Sequence, residues 1–253
     1  MAKISPIYIG FTNKNMDNLL FEVIEIYGND KYKIIFKNSK YETIARSKEI
    51  KNGQIRDIYT PYVYGVGYIG EDNYNANKQI YNIWHHMIRR CYDEKHRDKN
   101  PTYADCKVCK DWHNFSNFRK WYEDNYYEVE GEIMHLDKDI LFKGNKIYSP
   151  QTCIFVPSRI NDMFTKSNIK RGMYPIGVSW KSKNQKFQSQ CSILKDGKKT
   201  MKYLGLYITI EQAFSAYKNF KENYIKEVAD EYKDKIPQKL YDAMYRYEVE
   251  IAD

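Results

Sequence analysis

Between Gly177 and Phe220 the chain reads as three short β-prone runs followed by one helix, and this order constrains the fold more than any other feature. Val178 and Trp180, then Phe187, Ile193 and Leu194, then Tyr203 and Leu206 supply the strand residues, punctuated at Asn184 and at Asp196-Gly197. An Asp-Gly pair between such runs is a hairpin signal. Thr209 with Gln212 three residues on forms a capping box, after which Ala213, Tyr217, Phe220 and Tyr224 line one helix face. From residue 165 to 207 there are ten Lys and Arg against one acid, Asp196, so the positive charge lies on the sheet.

The 253 residues suffice for one large or two to three small domains, each with its own core. A formal net charge of +8 favours a polyanionic partner, nucleic acid foremost. No run of eighteen apolar residues occurs, and MAKISPIYIG lacks the charged, apolar and small regions of a secretory signal, so a soluble intracellular protein with no membrane role is expected. Five cysteines, an odd number at low density, argue against a disulfide scaffold.

Residues 20–27, 31–37 and 41–46 alternate as strands joined by Gly28-Asn29-Asp30 and Asn38-Ser39 turns, predicting a small barrel-like β domain over 1–60. Residues 61–76 hold three of the twelve glycines and read as a linker or lid. Their GVGYIG letters match a dinucleotide fingerprint, yet no strand-to-helix transition surrounds them. Ile80, Ile83, Trp84, Met87, Ile88 and Cys91 recur at helical spacing and predict a helix over 78–92. A second helix over 114–126 places Phe115, Phe118, Trp121 and Tyr122 on one side, and a last one starts at Pro237. Cys106 and Cys109 form a C-x-x-C that, with Cys91 and Cys153, would be the raw material of a zinc site. Structural zinc takes four tetrahedral ligands, and with one close pair in view the cysteines read as small buried residues.

Residues 132–164 give a strand, a Gly-containing loop, a second strand near 153–156 and a short helix from about Pro157. Within this β, β, α order, the segments LDKD, NKIYSP and SRIN resemble the ββα-metal core of HNH nucleases, specifically a phage-borne branch of homing-type endonucleases. The resemblance implies that Asp137 and Asn161 hold one divalent ion, magnesium or manganese, and that Lys138 falls where the family has its catalytic histidine. A lysine with an ordinary pKa of about 10.4 is protonated near neutrality, so Lys138 suits binding of the scissile phosphate and His135 is the nearest imidazole to serve as base. Continued strand alternation would put His135, Asp137 and Asp139 on one face, an oxygen-rich site for a hard cation.

The basic segment in turn resembles the plant APETALA and ethylene-response-factor type of DNA-binding domain. Gly177-Val178, Trp180, Lys186-Phe187, Leu204-Gly205, Tyr207, Thr209, Glu211, Ala213 and Ala216-Tyr217 carry the likeness. It implies a sheet lying in the major groove of double-stranded DNA, with Arg171, Trp180, Lys181, Lys186 and Lys202 as contacts.

The expected protein is therefore α+β and multi-domain: 1–60 a β domain, 61–76 a linker, 77–166 helical with the ββα unit, and 167–253 the sheet-and-helix module with a C-terminal helix. Its expected function is metal-dependent hydrolysis of DNA phosphodiester bonds in the cytoplasm of a phage-infected bacterium. The rival is a DNA-binding regulator, or inhibitor of a host system, that has lost cleavage. A base within reach of the ion favours the enzyme, and an exposed, unaccompanied lysine at 138 favours the binder.

Overall fold

The computed structural model describes residues 6–71, 78–164, 173–195 and 197–251, and the chain is α+β with several separate sheets. It forms two compact units, the first made of residues 1–124 with 146–149 and the second of 125–145 with 150–253. These units cut across the segments expected from the sequence. The helices of the 77–166 segment fall in the first unit, and its ββα elements fall in the second.

In the first unit β1 (Thr12–Lys14), β2 (Leu20–Gly28), β3 (Lys31–Phe36) and β4 (Glu42–Ala45) form an antiparallel meander in the order β1-β2-β3-β4. Phe21, Val23, Ile34 and Phe36 alternate inward and meet Ala45, Ile50 and Ile55 in one core. Helix α1 (Ser47–Asn52) supplies Ile50. Among the described residues β1 and β4 do not pair, so the β1–β4 sheet is open. Within the segment expected as a linker, residues 61–71 pack into this unit: Val63 and Ile69 are buried and Tyr68 bonds through its backbone to His113 and Phe115.

Helix α2 (Lys78–Tyr92) has the predicted bounds and buries Trp84, Met87, Ile88 and Cys91. Helix α3 (Glu94–Lys99) follows, capped by Asp93. Helix α4 (Phe115–Asn125) buries Phe115, Phe118 and Tyr122, and the indole of Trp84 donates to the Trp112 carbonyl at 2.7 Å. Two short strands complete the unit, β5 (Lys107–Val108) pairing in parallel with β7 (Ile147–Tyr148).

The second unit opens with β6 (Met134–Asp137), antiparallel to β8 (Ile154–Pro157), and then α5 (Ser158–Phe164). Strands β9 (Val178–Lys181), β10 (Lys186–Lys195) and β11 (Lys198–Tyr207) make a sheet in the order β11-β10-β9. Asp196 at the hairpin lies outside the described residues, but Lys195 pairs with Lys198 across it. Helix α6 (Ile210–Glu231), capped by the Thr209 hydroxyl, packs on all three strands, and α7 (Gln238–Tyr245) follows Pro237. Val156, Ile154 and Ile160 of the ββα elements share one buried cluster with Ile225, Val228, Leu240 and Met244. Each such side chain contributes roughly 1.5–3 kcal/mol by leaving water. That shared core joins the β, β, α elements to α6 and α7.

Candidate functional site

The end of β6 is set by one side chain. Asp137 Oδ1 accepts the backbone N–H groups of Asp139 at 2.9 Å and Ile140 at 2.7 Å, a local turn that aspartate favours because its short side chain reaches the backbone two residues on. The turn stops the strand. Asp139 therefore leaves the strand alternation, which corrects the expectation that His135, Asp137 and Asp139 share one face; the alternation holds for His135 and Asp137 alone. His135 is exposed and lies opposite Val156 in the ladder.

Burial, together with the nearby Asp139 carboxylate, pushes the Asp137 carboxyl up to about 6, against the opposing pull of the two backbone N–H groups and Lys138. Lys138 is only 8% exposed and its ammonium lies 3.1 Å from Asp139 Oδ2. It is neither the exposed, unaccompanied lysine of a simple binder nor a side chain held out to a phosphate. The Asn145 amide donates to the Lys138 carbonyl at 2.6 Å and fixes the turn from the other side.

Asn161 lies in α5, which packs against both β6 and β8. The start of that helix is anchored by a residue the sequence reading passed over, Glu132. Its carboxylate accepts from the Ser158 hydroxyl at 2.5 Å, the Arg159 N–H at 3.2 Å and the Tyr232 hydroxyl. Burial alone would raise its pKa, but the bonds from Ser158, Tyr232 and Arg159 outweigh it and hold the carboxyl below its ordinary value. A glutamate just before a β, β, α run carries no signal in one sequence, since its partners lie up to 100 residues away.

Asp137 fits a hard divalent cation. One of its oxygens is fixed by backbone donors, Oδ2 has no hydrogen bond among the described residues, and the raised carboxyl is one that an adjacent cation would relieve. Asn161, on the helix that packs against β6, and Asp139 are further candidate oxygen donors, although Asp139 is already paired with Lys138. Among the described residues no group of three or more His, Cys, Asp or Glu is gathered as a metal site. Cys106 is buried, Cys109 is partly exposed with its thiol pushed up by burial, and every cysteine is a free thiol.

The basic sheet divides its candidates between two faces. Arg171 lies outside the described residues. Residues directly opposite across a ladder share a face, and Lys181 stands opposite Lys186 while Trp180 stands opposite Phe187, their rings 4.8 Å apart. Lys202 stands opposite Cys191, which packs with Tyr217 of α6 and has the same parity as Phe187. Trp180 and Lys202 thus belong to the helix side of the sheet, and Lys181 and Lys186 to the side turned away from α6. This corrects the expectation of one contact set on one surface. Tyr203, 56% exposed and opposite Gln190, joins Lys181 and Lys186 on their side, an aromatic expected only as a strand residue. Gly177 adopts φ +78°, and a Cβ there would lie 2.0 Å from the Tyr217 ring, so two residues that carried the DNA-binding resemblance meet in space.

No family model matches the chain, and neither the curated proteins nor the solved structures contain a match. No helix among the described residues is long and apolar enough to cross a membrane.

Proposed function

We propose that the protein is a divalent-metal-dependent DNA endonuclease of HNH type, acting in the cytoplasm on double-stranded DNA selected by the β9–β11 sheet. The observation that carries this reading is the β6–β8–α5 unit, which ends its first strand on an enclosed Asp137 and bears Asn161 on its helix. Asp137, with Asn161, would hold the ion. When bound, magnesium or manganese stabilises charge on the leaving oxygen of the phosphodiester. His135, on the same strand face as Asp137 and exposed to solvent, takes the proton of the attacking water. Lys181, Lys186 and Tyr203 present two cations and a stacking surface to the duplex, with affinity drawn mainly from phosphates.

The test is relaxation of supercoiled plasmid with magnesium and with chelator, for the wild type and for Asp137→Ala. Magnesium-dependent nicking by the wild type alone supports the reading, and equal nicking by both proteins removes it. One observation favours a second reading: position 138 holds a lysine, paired with Asp139, where the resemblance expects the catalytic histidine. On that reading the protein binds DNA without cutting it and acts as a regulator or an inhibitor of a host system, and the wild type would retain plasmid unchanged in magnesium.

A further inference from the structure

Strand β9 pairs with β10 only as far as Val178 opposite Ser189. The Gln190 N–H still finds the Gly177 carbonyl at 2.9 Å, but from Cys191 to Leu194 no strand among the described residues pairs with that edge of β10. A cleft of about 810 Å³ opens there, bounded by α6 and the end of α5. Sites for small organic molecules span roughly 300–1,000 Å³, and an inorganic ion would leave most of this space unfilled. Ile176, Val178, Ile193 and Met163 give the wall its apolar part.

Lys221 lines the cleft from α6, on the buried stripe between Tyr217 and Ile225. It is 9% exposed and makes no hydrogen bond or ion pair among the described residues. Several other polar groups facing the cleft have partners, while Ser179 Oγ and Arg159 Nε are buried without one among the described residues. On α5, Arg159 pairs with Glu231 of α6, and Asp162 pairs with Lys199 of β11 at 2.7 Å. Cys191 of β10 is a thiol pushed up by burial, and the Tyr224 hydroxyl oxygen of α6 accepts the Leu194 N–H at 2.9 Å. Tyr217 packs against Gly177. Since the N–H groups of Gln190 and Leu194 point to this edge, the two-residue repeat of a strand aims that of Ser192 the same way. A methionine at 221 would pack as well without the desolvation cost of an unpaired amine.

We propose that this cleft binds a small organic carboxylate with an apolar body, its anionic end held by Lys221 and the Ser192 N–H. Burial lowers the pKa of Lys221, with Cys191 opposing, and a bound carboxylate would raise it again, so binding takes up protons at alkaline pH. Affinity therefore strengthens as pH falls from alkaline values toward the lowered value of Lys221.

Isothermal titration of the full chain with octanoate, in two buffers of different ionisation enthalpy, tests this. Saturable one-site binding is expected, with a heat that depends on the buffer. Lys221→Met should weaken binding roughly tenfold to a hundredfold, the scale of a hydrogen bond to a charged group, and abolish the proton uptake while melting no lower than wild type. Lys221→Arg, charged at every pH, should retain binding without proton uptake. Absence of saturable octanoate binding, equal binding by Lys221→Met, or equally tight binding of inorganic phosphate would each overturn the proposal. None of these outcomes depends on whether the protein cuts DNA.

Discussion

At the end of β6, the proposed chemistry would rest on a few side chains, of which Asp137 and Lys138 have their charges set by burial and local bonds. On β9–β11 the proposed DNA binding would rest on surface side chains whose charges act together through solvent. Asp137 is pushed up to about 6 and Lys138 is sealed against Asp139, whereas Lys181 and Lys186 stand at the surface of the sheet. The two regions should therefore fail differently. A single change at the first removes a function outright, and a single change at the second weakens it by degrees.

The largest expected effect belongs to the enclosed site. Asp137→Ala should abolish magnesium-dependent nicking, and His135→Ala should slow it on the order of a hundredfold, the usual scale for a general base, while both keep wild-type DNA affinity in a filter-binding assay. Loss of affinity with loss of cleavage would erase the distinction between the regions. The raised Asp137 carboxyl adds a pH signature. A proton competes with the ion below about 6, so the magnesium-dependent rate should climb as pH rises through that value and then level.

On the sheet, Lys181→Ala with Lys186→Ala should lower the dependence of log affinity on log salt by about two units, one per phosphate contact. Trp180→Ala should leave that slope unchanged, because Trp180 lies on the helix side. If Trp180→Ala proves the more damaging change for the slope, the assignment of faces is wrong. Backbone supplies the next test. Gly177→Ala combines a left-handed φ of +78° with a Cβ set into the Tyr217 ring, and should cost about 2 kcal/mol or more of stability in urea unfolding.

Much of this was legible in the sequence where the pattern is local and repeated. The apolar period of α2, the Thr209 cap of α6 and the paired runs of β10 and β11 each need only neighbouring residues to be read. The faces of the sheet were legible as well: Trp180 and Lys181 are adjacent in a strand and must point apart, but a reading by composition groups them. Lys221 also left a trace, as the one charged residue on a stripe of Ala213, Tyr217, Ile225 and Val228. The turn at Asp137 was harder, since the same residues fit a continuing strand until the side chain captures two N–H groups. The pairing of β5 with β7 and the reach of Glu132 to Tyr232 leave no local pattern, because each couples short segments far apart in the chain.

The smallest expected effect lies behind the enclosed site, at the carboxylate that ties α5 down. Glu132 is partly exposed, so its three hydrogen bonds are worth less than buried ones, and Glu132→Gln should cost only about 1 kcal/mol at neutral pH. Its sign with pH is the sharper readout. The folded carboxyl is held below its ordinary value of 4.5, so the folded state binds fewer protons there than the unfolded state. The stability it confers is present above that ordinary value and is lost as pH falls through the lowered one. Wild type and Glu132→Gln should therefore differ at pH 7 and converge on acidification. A constant gap in melting temperature between the two across that range would mean that Glu132 acts through packing alone. α5 would then owe its placement to Ile160 in the shared core rather than to the carboxylate at its start.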